Sequence, residues 1–498
     1  MLFNSYQFLI FFPVVVLIYW AIPLRFRYIW LLAASYYFYM CWNAKYALLL
    51  LFSTAVTYAS GLIINKVKSL DIDGKKRTRY MKLCVAFSFI INLGVLAWFK
   101  YFNFIFENVQ KVFAHIGITL SSPAFDIVLP VGISFYIFQA LSYTVDVYRG
   151  DIYAEKNFLK YALFVSFFPQ LVAGPIERSK NLLKQVAEPH RFDYDKCREG
   201  FLLMLWGFFL KLVIADRAAI IVNTVYNNYG SYPGMYLVVA TVLFAFQIYC
   251  DFAGYSTIAM GAAKILGFEL MENFDCPYMA KSVSEFWRRW HISLSSWFRD
   301  YLYIPLGGNR KGTARKYLNL MIVFLTSGMW HGAQWSFIAW GGINGIYQII
   351  GERLMPLRNK ANKLLRLNRE SFGHKLFKVV STFALIDFAW IFFRANRLTD
   401  AFKIIKSMVS VRNWWVLFDD SLFTLGLDWK NFVLLLFAIV ILLAADVFKY
   451  KGIKVRRVIM RQELWFRWSL YIAAIAGILV FGIWGPGYDA SSFIYFQF

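Results

Sequence analysis

Apolar residues in this chain are bunched into runs near the length needed to cross a bilayer, and that grouping leaves few folds open. The runs cover roughly 3–22, 28–43, 46–65, 83–106, 126–145, 157–173, 200–225, 234–266, 317–338, 340–351, 379–394, 431–448 and 468–484. A hydrocarbon core offers no water, so every backbone N–H and C=O inside it must be satisfied by protein, which only helices and closed barrels achieve. Continuous apolar runs without strict alternation select helices. Since 59% of the 498 residues are hydrophobic and only 16% charged, the expectation is an all-α polytopic membrane protein. It would have about 11–13 hydrophobic helices, some of them re-entrant.

Residues 1–22 lack a basic leader and a small-residue cleavage site, which predicts a retained first span. Charge then orients the chain. The net charge is +24, and three loops concentrate it: Lys66–Lys82 with seven basic and two acidic residues, Arg353–Lys378 with eight and one, and Lys449–Arg467 with seven and one. The positive-inside rule puts these loops in the cytoplasm and both termini outside, together with the segment 399–430, which carries Asp400, Asp419, Asp420 and Asp428. Simple alternation through 107–200 would place the basic stretch 281–316 outside. A re-entrant or half-crossing segment near 126–173 resolves this, and Pro130, Pro169, Gly132 and Gly174 supply the breaks it needs.

Neither an internal repeat nor a linker divides the chain, so residues 1–498 read as one transmembrane domain. Basicity spread over loops between spans fits anionic lipid headgroups and argues against nucleic acid. The five cysteines are far apart and form no C-x-x-C pair, which argues against a disulfide framework and a metal site. No nucleotide-hydrolysis motif and no G-x-S-x-G elbow occur.

The segment 281–316 mixes eight basic residues with Trp287, Trp290, Trp297, Phe298, Tyr301 and Tyr303, too charged to span and too apolar for a solvated loop. It is expected at the cytoplasmic interface. There Arg288, Arg289 and Arg299, with Trp287 and Trp290, form a candidate funnel for a phosphate-bearing donor. An interfacial aromatic–basic belt explains the same composition. Leu306–Asn309 reads as a tight turn, a weak phosphate-loop signal.

Of the five histidines, His115, His190 and His374 fall in loops or span margins. His331 is different: it lies within Leu318–Gly342, where no other side chain is readily ionised near neutral pH. An ionisable group at membrane depth is costly and marks a functional site by default. A neutral imidazole there can accept a proton from an alcohol as its oxygen attacks an activated acyl carbon, although such a histidine also serves as a hydrogen-bonded packing residue. Gly328, Gly332, Gly341 and Gly342 permit close approach of backbone or substrate, or simply of helices. Trp330, Trp335 and Trp340 are candidates to line an acyl-sized channel. His291, between Trp290 and Ile292, stays ambiguous on residue type alone.

Several strings carry a resemblance. Phe286–Gly308 (FWRRWHISLSSWFRDYLYIPLGG) and Ser327–Gly332 (SGMWHG) resemble signatures of the membrane-bound O-acyltransferase family, in particular its bacterial alginate O-acetyltransferase branch. Pro130–Gln139 (PVGISFYIFQ), Phe168–Pro175 (FPQLVAGP), Gln247–Ser256 (QIYCDFAGYS) and Phe493–Phe498 (FIYFQF) are similar to that branch as well.

The resemblance implies helices ringed around a tunnel that joins a cytoplasmic funnel to the outer face, with Trp330, Trp335 and Asp251 along it. It implies His331 as catalytic base and His291 in a supporting role. It further implies an acyl donor, acetyl-coenzyme A or an acyl carrier protein, as substrate, with no permanently bound cofactor. The acceptor would be a hydroxyl of an extracellular or periplasmic polysaccharide, and the site a bacterial plasma membrane. An extracytoplasmic partner of the SGNH type is expected, with 399–430 and the aromatic tail as docking surfaces. Two alternatives stand beside this: D-alanyl transfer to teichoic acid from an aminoacyl carrier protein, and a proton-coupled transporter using Asp251 and Asp387.

Overall fold

The computed structural model describes residues 1–121, 129–484 and 494. Within them the chain is helical, with no strand, and it is a multi-pass membrane protein. Six helices are long and apolar enough to cross a bilayer: Ala44–Ser69, Gly74–His115, Met235–Ile265, Phe372–Arg394, Trp429–Tyr450 and Leu464–Phe481. The remaining apolar runs form helices that are shorter, more broken or more polar than a full span requires. Large side chains such as Ile10, Leu17, Ile90 and Val480 are about 70% exposed, as a surface facing lipid tails requires.

Backbone contacts group the chain into two compact units, Met1–Phe201 with Ile258–Met271, and Leu202–Thr257 with Glu272–Phe498. In the first unit, the part of the 126–173 region from 129 onward is described, and it is built from short pieces. Helix Ile133–Arg149 is buried along nearly its whole length. Helix Phe158–Ser166 has only 9 residues, which makes it about 13.5 Å long, less than half of a hydrocarbon core. Phe167 leaves the helical conformation at φ −52° and ψ 111°, and a one-turn helix, Phe168–Leu171, follows with Pro169 in its first turn. Gly132 adopts φ 73°, and a β-carbon there would collide with the Leu171 carbonyl oxygen, so the predicted break is a close backbone crossing. Buried polar groups tie the pieces together: Gln139 Nε2 donates to the Phe164 carbonyl at 2.6 Å, and Tyr161 Oη donates to Thr57 Oγ1 at 2.7 Å.

The second unit is organised by a helical hairpin, Thr313–His331 and Trp335–Arg353. A β-carbon at Gly328 would strike the Phe337 carbonyl oxygen, and one at Gly341 the Phe324 carbonyl oxygen. These glycines therefore serve helix contact rather than substrate approach. Helix Phe372–Arg394 packs onto the second arm.

Candidate active site

The hairpin places His331 at the last position of its first arm, 5% exposed. Rings surround it: Trp330 at 5.0 Å, Trp340 at 5.1 Å and Phe393 at 5.3 Å between centroids, each nearly edge to face. Trp340 is in turn stacked on Trp390 at 5.7 Å. The imidazole is thus held in an apolar aromatic enclosure, where electrostatic interactions are weakly screened.

His291 reaches the same enclosure from a different part of the chain. Ser282 caps helix Val283–Arg289 by accepting from the Glu285 amide, and the Glu285 carboxylate reaches back to the Lys281 amide at 2.9 Å, a close variant of the capping box. The chain then turns sharply at His291, φ 43°, into helix Ile292–Phe298. A left-handed backbone is costly for a residue with a β-carbon and persists only where its surroundings fix it. Here they do: the Ile292 and Ser293 amides donate to the backbone and side-chain oxygens of Asn273 at 3.0 and 3.3 Å, and Asn273 Nδ2 donates to Ser256 Oγ at 3.0 Å.

The result is an imidazole 1% exposed, 4.6 Å from the Phe252 ring, 5.8 Å from Trp330 and 6.4 Å from the His331 ring. Burial pushes its pKa down to about 3, so at neutral pH it is an uncharged group with one nitrogen donor and one nitrogen acceptor.

The other candidate residues divide. Trp287 faces the hairpin, donating Nε1 to Asn344 Oδ1 at 3.2 Å, and Trp290 is buried against Trp390 at 5.1 Å. Trp330 touches both histidines, whereas Trp335 is 53% exposed at the start of the next helix. Arg289 is committed within the protein, 2.8 Å from Asp275 and 3.1 Å from Glu285. Arg299 pairs with its neighbour Asp300 at 2.8 Å, and Arg288 is exposed. The tight turn predicted at Leu306–Asn309 is present, with Gly307 and Gly308 at φ 106° and 56°. Their amides donate to the Ile304 and Tyr303 carbonyls, so they are not available to cradle phosphate.

Asp251 lies inside an unbroken helix. Met235–Ile265 runs through it without interruption, and the carboxylate pairs with buried Lys211 at 2.6 Å. Of the tail motif Phe493–Phe498, only Ile494 lies within the described residues.

Sequence reasoning missed Phe393 and Trp390, which complete the enclosure from another helix and carry no local signal, did not single out Phe252 within its motif, and missed Asn273, which holds the His291 corner from a loop. It also missed a cavity of about 400 Å³ in the first unit, lined by Trp20, His190, Arg191, Lys196 and Lys264.

Comparison with known proteins fits this arrangement. Residues 152–385, which contain both histidines, match the membrane-bound O-acyltransferase family. A probable alginate O-acetylase of Azotobacter vinelandii is 38% identical over 83% of this chain and 79% of its own length. A peptidoglycan O-acetyltransferase of Helicobacter pylori is 33% identical over 77% and 74%. A teichoic acid D-alanyltransferase of Bacillus subtilis is 26% identical over 54% and 70%. The chain belongs to the membrane-bound O-acyltransferase family and is an O-acyltransferase.

Proposed function

We propose that this enzyme moves an acetyl group from a thioester presented at the cytoplasmic face, on coenzyme A or an acyl carrier protein, to hydroxyls of a polysaccharide outside the membrane. His331 is the general base. Its neutral imidazole takes the acceptor's hydroxyl proton as that oxygen attacks the thioester carbonyl. Collapse of the tetrahedral intermediate breaks the carbon–sulfur bond, and the imidazolium gives its proton to the departing thiolate. His291 acts beside it, orienting the donor or relaying the proton. The scheme draws on no resident cofactor.

The observation that carries this reading is the meeting of the two histidines, from separate segments, at 6.4 Å inside one aromatic enclosure. An enclosure of this kind excludes water from the thioester and so limits its hydrolysis. A tunnel ringed by helices would let thioester and hydroxyl meet without moving the charged carrier through lipid. The basic loops face the cytoplasm and both termini face outward, where a partner of the SGNH type docks on 399–430. The relatives named for alginate and peptidoglycan acetylation support a polysaccharide acceptor. They align more extensively than the D-alanyltransferase does, which favours acetyl over aminoacyl transfer.

The test is His331→Ala in the producing cell, scored as acetyl content of secreted glycan at matched protein abundance. Loss of acetylation supports the assignment; persistence removes His331 as the base.

A further inference from the structure

The cavity of the first unit takes no part in the reaction scheme. Its volume of about 400 Å³ is within the range of small-molecule sites. Three separate stretches of chain wall it: the end of helix Tyr6–Ala21, the stretch 189–197, and residues 264–267. Arg27 ties the first two together, since its guanidinium donates to the His190 carbonyl at 2.8 Å and to the Trp20 carbonyl at 3.3 Å, and lies 4.9 Å from the Trp20 ring centre. The third is joined through Trp20 Nε1, which donates to the Ile265 carbonyl at 3.3 Å.

The charges on this wall do not cancel. Lys264 is neutralised by Glu199 at 2.8 Å, and His190 Nε2 donates to the Gln185 carbonyl at 2.8 Å. Asp193 caps the helix that begins at Tyr194, its Oδ1 accepting from the Asp195 and Lys196 amides at 2.9 and 3.1 Å. Arg191 and Lys196 are exposed, and among the described residues no carboxylate pairs with either. Arg191 and Lys196 against Asp193 leave one net positive charge, the complement of a single phosphodiester rather than of a multiply charged soluble phosphate. Guanidinium and ammonium groups are the usual partners of phosphate oxygens.

Neighbouring residues indicate what carries that phosphate. Ile10, Val14 and Leu17 are exposed on one face of helix Tyr6–Ala21, at spacings of four and three residues, as a stripe against acyl chains requires. Trp20 follows three residues on and enters the cavity wall, where the exposed Phe192 ring stands edge to face on it at 5.4 Å. An indole beside cations at the end of an apolar stripe marks headgroup depth.

We propose that this cavity binds the phosphodiester headgroup of an anionic phospholipid. Arg191 and Lys196 meet the phosphate, Trp20 and Phe192 pack on the glycerol level, and the acyl chains run along Ile10, Val14 and Leu17. Phosphatidylcholine is a poorer occupant, because its choline sets a further cation against a wall that is already positive. No step of acetyl transfer passes through the site.

The experiment uses the full chain in nanodiscs of phosphatidylcholine, alone or with phosphatidylglycerol added. Cys197 lines the cavity and is half-buried, so its alkylation by N-ethylmaleimide, read by peptide mass spectrometry, reports occupancy. Exposed Cys41, outside the cavity, is the internal reference. The proposal expects phosphatidylglycerol to slow alkylation of Cys197 by about fivefold or more relative to Cys41. Arg191→Glu combined with Lys196→Glu should abolish that protection, whereas Lys156→Glu, outside the cavity, should keep it. Coenzyme A or inorganic phosphate added to phosphatidylcholine discs should give no protection.

Equal alkylation with and without phosphatidylglycerol would overturn the lipid site, as would protection that survives the double reversal. Protection by coenzyme A or by inorganic phosphate would give the cavity to a soluble phosphate and overturn it too. Should the double reversal fail to accumulate, Arg191→Gln with Lys196→Gln decides in its place, since it also must lose the protection.

Discussion

Trp330 stands edge to face against both His291 and His331, at 5.8 and 5.0 Å, and so spaces the two imidazoles within one enclosure. Trp340 and Phe393 pack on His331 from two further helices, at 5.1 and 5.3 Å, and the base role proposed for it can be tested without unmaking that packing. His331→Gln, which keeps polarity and much of the volume, is expected to lower kcat by roughly 100-fold or more while protein abundance holds. Purified enzyme assayed with acetyl-thioester and acceptor glycan gives the measurement, and a kcat within a few fold of the parent would count against a base role.

His291 gives a pH dependence of stability with a definite sign. Its pKa is near 6.5 in the unfolded chain and about 3 in the fold, so below pH 6.5 the unfolded state binds the extra proton. Stability is therefore fully present above 6.5 and is lost progressively as pH falls towards 3. His291→Gln should flatten that acid limb in thermal unfolding between pH 7.5 and 4.5 in detergent, whatever it does to activity. An unchanged slope would mean that other groups set the limb.

The legible part of this protein was the part written in local composition. Continuous apolar runs gave the helices, and a lone histidine in such a run gave His331. Motif likeness, not residue physics, brought in His291, because its value lies in a left-handed corner held by Asn273 through contacts that sequence spacing does not encode. Phe393 and Phe252 reach the histidines only after distant helices pack. The basic funnel was over-read for a related reason: composition counts Arg289 as a cation facing solvent, whereas Asp275 and Glu285 already neutralise it.

That pairing separates two arginines that composition treats alike. Reversing Arg289 to Glu would set three carboxylates together and should lower the melting temperature before any donor effect can be read. Arg288→Glu should leave melting unchanged and raise donor KM several fold at low salt, the effect shrinking as salt is added. Lys196→Glu, in the cavity of the first unit, is the comparison. A donor KM unmoved by Arg288→Glu would favour the headgroup-belt role for that segment.

Neighbouring glycines in the hairpin should also behave differently. Gly341→Ala drives a methyl into the Phe324 carbonyl, a backbone atom that cannot step aside, whereas Gly342→Ala meets only the Leu325 side chain at 3.7 Å. The first should cost about 1–3 kcal/mol and the second less than about 0.5 kcal/mol. Thermal unfolding of the two in one detergent checks this, and equal melting points would show that the arms can slide apart.

The last span, Leu464–Phe481, has 18 residues and only 11% of it buried, so its depth is set mainly by lipid. At about 27 Å it is slightly short for an average hydrocarbon core. Thicker bilayers must therefore thin around it or pull on its ends, and one end continues directly to Ile483, whose amide donates to the Leu212 carbonyl at 3.1 Å. Lipid chain length thus becomes a mechanical input to the second unit, and turnover in vesicles should fall as acyl chains lengthen even though both histidines are buried within the protein.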